Sequence, residues 1–272
     1  MESPALVAER IKSVKVQGAK EIAIYSLNYL RRFCKKYGFG LKFEVAAMIL
    51  ERARPTAVVL HNCLEIVKKE KKIQTIDRLI KELQEATQKI AEIGQKVVED
   101  GQKILTHCHS GEALAVIKEA FKRGKKISVL ATITRPLKQG IKTARELAKM
   151  KIPVTIAEDI AVGHLINHAD LVIVGSDAIR KEGFVNKVGS WLIAEEAKRH
   201  GKPFYVVGSH FKFDSRKKFV LEERPADEVL PKKIKGVKVR NPAFDLVPWD
   251  CVTAVITDIG IFKPEKIIKM IR

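Results

Sequence analysis

The stretch that decides the fold is Lys103–Pro136, "KILTHCHSGEALAVIKEAFKRGKKISVLATITRP". A short apolar run ends in His107-Cys108-His109, a turn of small residues follows, and a helix-like segment occupies Ser110–Arg123 before a second apolar run, "ISVLAT". Strand, helix and strand within about 30 residues make one βαβ unit. The alternation continues through "PVTIA", "DLVIVG", "PFYVVG" and "TAVIT", with helix-like segments at Leu137–Met150, Ile160–Asn167 and Asn186–His200. Strands that are apolar along their whole length belong to a parallel sheet covered on both faces, so the expected fold is a doubly wound α/β domain.

Upstream the pattern is different. "GAKEIAIYSLNYLRRFCKKYG" places Ile22, Tyr25, Leu27, Leu30 and Phe33 on one helical stripe and closes on Gly38. "ARPTAVVLHNCLEIVKKE" sets Pro55 near a helix start. From Ile73 to Val98, Ile76, Ile80, Leu83, Ile90 and Val97 recur three and four apart and in their multiples, as on a long amphipathic helix. The expected organisation is a helical domain over residues 1–100 and an α/β domain over 101–272.

With 272 residues and 46% hydrophobic content, the chain can bury a sizeable core without staples. Its four cysteines, Cys34, Cys63, Cys108 and Cys251, show no paired spacing, and no apolar leader opens the chain; the expected compartment is the cytoplasm. No apolar run nears the roughly 20 residues of a membrane span. The abundance of Lys and Glu over Asn and Gln suggests a thermophilic source. A net charge of +19 attracts polyanions. "KKEKK" (Lys68–Lys72) and "PKKIKGVKVR" (Pro231–Arg240) lack interleaved aromatics and read as solvated faces, so no direct nucleic-acid binding and no membrane partner is expected.

In a doubly wound sheet, ligands sit beyond the carboxyl ends of the strands where strand order reverses. The residues at those tips are Cys108-His109-Ser110-Gly111, Thr134-Arg135-Pro136 with Gln139-Gly140, Glu158-Asp159, and Ser176-Asp177. Cys108 admits three readings: reactive thiol, metal ligand or packed thiol. Cys108 and Asp177 are candidates for shared proton transfer, the alternative being a packed thiol and a capping carboxylate. Ser110-Gly111 and Asn186-Lys187, each read as opening a helix, could present backbone N–H groups to a phosphate, with Lys187 and Arg135 adding charge. The pairs His107/His109 and His164/His168 have chelating spacing but no evident third ligand, and no metal is expected. Cys34, Cys63 and Cys251 read as core residues.

Nine runs, among them "QGAKEIA", "RPTAV" (Arg54–Val58), "THCHSG", "TRPLKQG", "ADLVIVGSDAI", "GFVNKVGS" and "KPFYVVGSHFKFD", resemble in order the alpha, beta and delta regulatory subunits of translation initiation factor 2B and the related isomerases of methylthioribose 1-phosphate and ribose 1,5-bisphosphate. The resemblance spans nearly the whole chain. It implies an N-terminal helical domain followed by a Rossmann-like domain that dimerises, and no cofactor. By resemblance to the enzymes, Cys108 and Asp177 are the catalytic pair, while Arg54, Asn186 and Lys187 contact phosphate and sugar. Ser110, Gly111, Arg135 and Gln139 complete the expected ligand-binding set.

Three positions depart from the enzymes: Gln17 replaces an Arg, His109 an Asn, and Ile133 a Glu. On these departures the first expectation is a regulatory-subunit-like protein, nearest the alpha subunit. It would bind initiation factor two through that factor's alpha subunit, assemble with paralogous subunits as a homodimer or larger oligomer, and sense a phosphorylated sugar or nucleotide. The alternative is an aldose–ketose isomerase of a sugar 1-phosphate.

Overall fold

The computed structural model describes residues 2–271 except 14, 15, 17, 55 and 218–220, so the readings placed on Gln17 and Pro55 lie outside the described residues. The chain divides into two compact units, Met1–Ala86 and Thr87–Arg272.

The first unit holds α1 (Pro4–Lys12), α2 (Ala19–Tyr37), α3 (Leu41–Ala53), α4 (Val58–Glu70) and most of α5 (Ile73–Gly94). Ser3 caps α1 by accepting from the Leu6 N–H, and Pro4, which has no N–H to lose, occupies the first turn. α2 buries Ile22, Ala23, Leu27, Leu30 and Phe33 and ends at Gly38, while Tyr25 of the expected stripe stays half-buried, its hydroxyl accepting from the Arg10 guanidinium at 3.0 Å. α4 stops where Lys71 turns left-handed and returns its N–H to Val67. α5 buries Ile76, Leu79, Leu83 and, past the unit boundary, Ile90.

The second unit is a seven-stranded sheet. Its strands in chain order are β1 (Lys103–Thr106), β2 (Ser128–Thr132), β3 (Val154–Ala157), β4 (Leu171–Gly175), β7 (Phe204–Val207), β9 (Ala254–Thr257) and β10 (Gly260–Phe262). Two further strands, β5 (Ala178–Ile179) and β6 (Gly183–Lys187), join β8 (Phe244–Pro248) in a separate antiparallel sheet of three. The large sheet runs β10-β9-β7-β4-β1-β2-β3, parallel throughout except for the β10 edge. Each of the six apolar runs is one of the parallel strands.

Alternate residues of these strands enter two cores. Ile104, Val129, Leu171, Ile173 and Ile256 pack with Ile90 of α5, with α6 (Gly111–Lys122) and with Leu147 of α7 (Gln139–Lys149). Leu105, Val172, Val174, Phe204 and Val206 pack on the other face with the short α8 (Val162–Leu165), α9 (Ser190–Arg199) and α10 (Pro264–Met270). Burying each such side chain contributes ~1.5–3 kcal/mol, and strands with both faces covered gain it at every position. The mixed α/β class with a mostly parallel sheet is thus established.

The structure corrects two local readings. Asn186-Lys187 end strand β6, paired with Asp245 and Phe244 of β8, and the following helix starts only at Ser190. The expected Ile160–Asn167 helix is a single α turn, Val162–Leu165, between two 3-10 turns.

Candidate functional site

The strand order reverses between β1 and β4, which pair as Ile104 with Leu171 and Leu105 with Val172. β2 and β3 extend the sheet to one side, and β7 and β9 to the other. The chain after β1 carries His107-Cys108-His109, and the chain after β4 carries Ser176-Asp177. Both motifs therefore leave the sheet at the switch point, where a crevice is forced because successive connections turn to opposite faces.

Cys108 is held in an uncommon backbone conformation. Its φ is 68°, and Thr134 across the crevice has φ 64°. Left-handed non-glycine residues cost ~1–3 kcal/mol each and persist only when their surroundings over-determine them. The Cys108 N–H donates to Thr134 Oγ1 at 2.9 Å, and the Cys108 carbonyl accepts from Thr143 Oγ1 at 2.7 Å. The Cys108 Sγ lies 3.5 Å from Gln139 Oε1. Asp159 fixes the facing loop by accepting from the Thr134 N–H at 2.7 Å and the Arg135 N–H at 2.6 Å. The Arg135–Pro136 peptide bond is cis. Gly140 closes this loop: a Cβ there would stand 1.7 Å from the Thr132 carbonyl oxygen, so no larger residue fits.

The two flanking histidines are structural rather than a chelating pair. His107 is buried, and its Nε2 sits 2.9 Å from the Val188 carbonyl, which can only accept. Burial lowers the pKa of His107, so the ring is neutral and its bare Nδ1 accepts from the Thr132 hydroxyl at 2.5 Å. His109 is likewise lowered by burial and by Lys142; because the Thr143 hydroxyl already donates to Cys108, His109 Nδ1 must donate to it at 3.0 Å. His164 and His168 are exposed, with ring centroids 4.9 Å apart. Among the described residues one trio has metal-ligand spacing, Glu51, His61 and Glu65 in the first unit. There the Lys68 ammonium already bridges the two carboxylates at 3.2 and 2.9 Å.

The electrostatics centre on the thiol. Burial pushes Cys108 up to about 11; Asp177 and Asp159 push the same way, while Lys187 opposes them. At neutral pH the group is a thiol, within the electrostatic reach of two carboxylates and one ammonium that the sequence placed at the same crevice. Lys187 lies with its Nζ 4.7 Å from the centroid of Phe244 and, among the described residues, has no carboxylate at ion-pair distance. Asp177 is half-buried, its N–H bonded to Val185 of β6 at 2.7 Å.

Other expected contacts are placed as follows. Ser110 caps α6 by accepting from the Ala113 N–H at 3.3 Å, and Gly111 is the first helical residue. Gly175 makes room for that cap, since a Cβ there would lie 2.3 Å from Ser110 Oγ. The Arg135 guanidinium is exposed and pairs with Glu158 at 3.1 Å. Arg135, Gln139 and Lys187 line one narrow cleft. Asn186 is buried, and its amide donates to Ser190 Oγ at 2.8 Å. Arg54 caps the end of α3 in the first unit.

Two features escaped sequence reading. Beneath Ser176 the Lys212 ammonium pairs with buried Glu112 and donates to the Ser176 carbonyl at 2.6 Å. A lysine set between phenylalanines in "HFKFD" was the available signal. Arg224 and Asn241, also on the cleft, come from a segment with no periodicity to betray them.

With this geometry described, the chain can be set beside known proteins. Residues 15–264 match the Initiation factor 2 subunit family, and the protein belongs to that family. Within it, the chain is 41% identical to a ribose 1,5-bisphosphate isomerase of Archaeoglobus fulgidus, covering 97% of this chain and 91% of the relative. It is 36% identical to a methylthioribose-1-phosphate isomerase of Pelotomaculum thermopropionicum, covering 95% and 82%. The crystal structure of translation initiation factor eIF-2B from Pyrococcus horikoshii OT3 superposes with a TM-score of 0.85 over 100% of both chains, at 27% identity. No helix among the described residues is long and apolar enough to cross a membrane.

Proposed function

We propose that this protein is a sugar-phosphate aldose–ketose isomerase acting on ribose 1,5-bisphosphate. The observation that carries the reading is the crevice itself: a protonated thiol on the β1 tip lies under the field of Asp177 from the β4 tip and of Lys187. The 41% identity to an isomerase along nearly the whole chain favours it over the regulatory-subunit expectation, which loses first place. The departure at His109 is accommodated by the fold, because His109 is used internally, in orienting Thr143 against the Cys108 carbonyl.

The chemistry requires two proton transfers. A phosphate on O1 prevents simple opening of the ring, so an acid must protonate the ring oxygen, after which a base moves a proton between adjacent carbons. Cys108 and Asp177 supply one donor and one acceptor in a site that needs no redox partner. Lys187 lowers the cost of forming thiolate and is positioned to meet substrate phosphate. Gln139, 3.5 Å from the sulfur, orients the thiol.

The test is a coupled assay on ribose 1,5-bisphosphate and methylthioribose 1-phosphate, with Cys108→Ser as control. Turnover of the bisphosphate, abolished in the variant, is expected. Turnover of neither sugar, or turnover indifferent to Cys108, would sink the reading. The close structural likeness to the Pyrococcus factor keeps a second reading in view, a subunit that binds initiation factor two and assembles with paralogous subunits. Salt-resistant capture of purified initiation factor two by a protein without isomerase activity is the result that would promote it.

A further inference from the structure

Arg224 leads a segment, residues 222–243, that runs along the cleft holding Gln139 and Lys187. Its guanidinium is fixed on two sides: Nη1 donates to Glu222 at 3.3 Å and Nη2 to Glu228 at 2.7 Å. Its backbone N–H donates to the carbonyl of Asn241 at 2.9 Å, so the residue is anchored before anything binds. Its Nε–H is buried and meets no acceptor. Among the described residues only one other buried side-chain nitrogen or oxygen atom, the Ser26 hydroxyl, is left so. A buried charged donor without a partner costs more than an ordinary unmade hydrogen bond, and native structures keep such groups chiefly where something else will satisfy them.

The surroundings indicate what that something is. The charged residues lining the cleft are three cations, Arg135, Lys187 and Arg224, against the single carboxylate of Glu228. Arg135 is turned to Glu158 and Arg224 is held by its two glutamates, which leaves Lys187, among the described residues, as the cleft cation without a carboxylate at ion-pair distance. A compact dianion with several acceptor oxygens satisfies both at once, whereas a water molecule or a neutral hydroxyl would satisfy the donor but not the charge.

We propose that Arg224 is a ligand-binding residue whose Nε–H donates to a phosphoryl oxygen of the sugar phosphate, working with Lys187 of the same cleft. This rests on the isomerase reading for the identity of the ligand, but not for the presence of an anion site. It assigns to the segment after the β7 strand a part in substrate recognition that the tips of the parallel strands alone do not provide.

The experiment measures two things on four proteins: the wild type, Arg224→Gln, Arg224→Lys and Arg240→Gln. The first is KM and kcat for ribose 1,5-bisphosphate, and the second is the rise in melting temperature produced by inorganic phosphate. Both arginine variants are expected to raise KM by ~10- to 100-fold, the worth of one charge-assisted hydrogen bond, with kcat changed far less. Both should also lose the phosphate-induced stabilisation. Arg240→Gln removes a cation of the same segment that pairs with Glu223 and does not line the cleft, and should behave as wild type in both readings. Equal losses in all three variants would mean that the segment is merely structural, and unchanged KM in the arginine variants would likewise overturn the proposal. If the wild type does not convert ribose 1,5-bisphosphate but phosphate stabilisation still depends on Arg224, the anion site stands and the isomerase reading falls. If phosphate stabilises wild type and arginine variants alike, the anion site falls whatever the activity.

Discussion

The two walls of the crevice are built by opposite means. On the β1–β2 side the thiol is held by neutral donors and acceptors: Thr134, Thr143, Thr132 and two uncharged histidines. The carboxylate of Asp159 there is spent on two backbone N–H groups. On the β4–β7 side the loops are pinned by buried ions: Lys212 to Glu112, and Arg180 to Asp214 at 2.6 Å, with Arg216 closing on the same carboxylate at 2.7 Å. Burial between the two walls, helped by Asp177 and Asp159, keeps the Cys108 proton on sulfur, and Lys187 opposes them. On the proposed isomerase reading, acid–base chemistry here would depend on the contrast between the walls rather than on either cysteine or aspartate alone.

The largest effect should come from removing the groups that face each other across that contrast. Cys108→Ser and Asp177→Asn are each expected to lower kcat on ribose 1,5-bisphosphate by ~10²–10⁴-fold with the fold retained, as judged by an unchanged melting curve. A variant pair in which only one substitution matters would mean that the walls do not act together.

Next in size is the difference in how the walls fail. Lys212→Met strands a buried Glu112 carboxylate and should cost ~3–5 kcal/mol in denaturant unfolding. Thr134→Val on the neutral wall removes one acceptor from the Cys108 N–H and should cost ~1–3 kcal/mol. Equal losses would erase the distinction drawn here.

A finer measurement follows the thiol itself. Because Asp177 raises the Cys108 pKa and Lys187 lowers it, Asp177→Asn should move thiolate formation to lower pH than the wild-type value of about 11, and Lys187→Met to higher pH. Ultraviolet thiolate absorbance against pH reads both directions, and shifts of the same sign would show that the two residues do not face the sulfur. The smallest effect is expected from Glu158→Gln. The Arg135–Glu158 pair is exposed, and its loss should leave the melting temperature unchanged within error.

How far the fold was legible depended on the range of the interactions. The inner parallel strands stood out because burial on both faces demands unbroken apolar runs such as "DLVIVG" and "ISVLAT", while edge strand β3, with Thr155 and Ile156 exposed, was legible from its β-branched run alone. The β5, β6 and β8 strands did not. β6 carries Asn186 and Lys187 and owes its extended shape to pairing with Phe244–Pro248, more than fifty residues on, so local propensity pointed to a helix there. The domain boundary expected near residue 100 compares with compact units that meet at Ala86 and Thr87, inside α5, where no composition change marks the chain.

The sequence by itself determined the class of fold and which residues stand at the strand tips: a strand tip must lie at the carboxyl edge of a doubly wound sheet, and Cys108 and Asp177 were both at such tips. Tertiary structure alone decided their states. Whether a thiol holds its proton, whether His107 ligates or merely accepts from Thr132, and whether Arg224 keeps a donor in reserve depend on burial and on partners brought together across the fold, from as near as Thr132 for His107 and as far as Glu112 for Lys212. Desolvation and hydrogen bonding act through space, and no local pattern of residues encodes them.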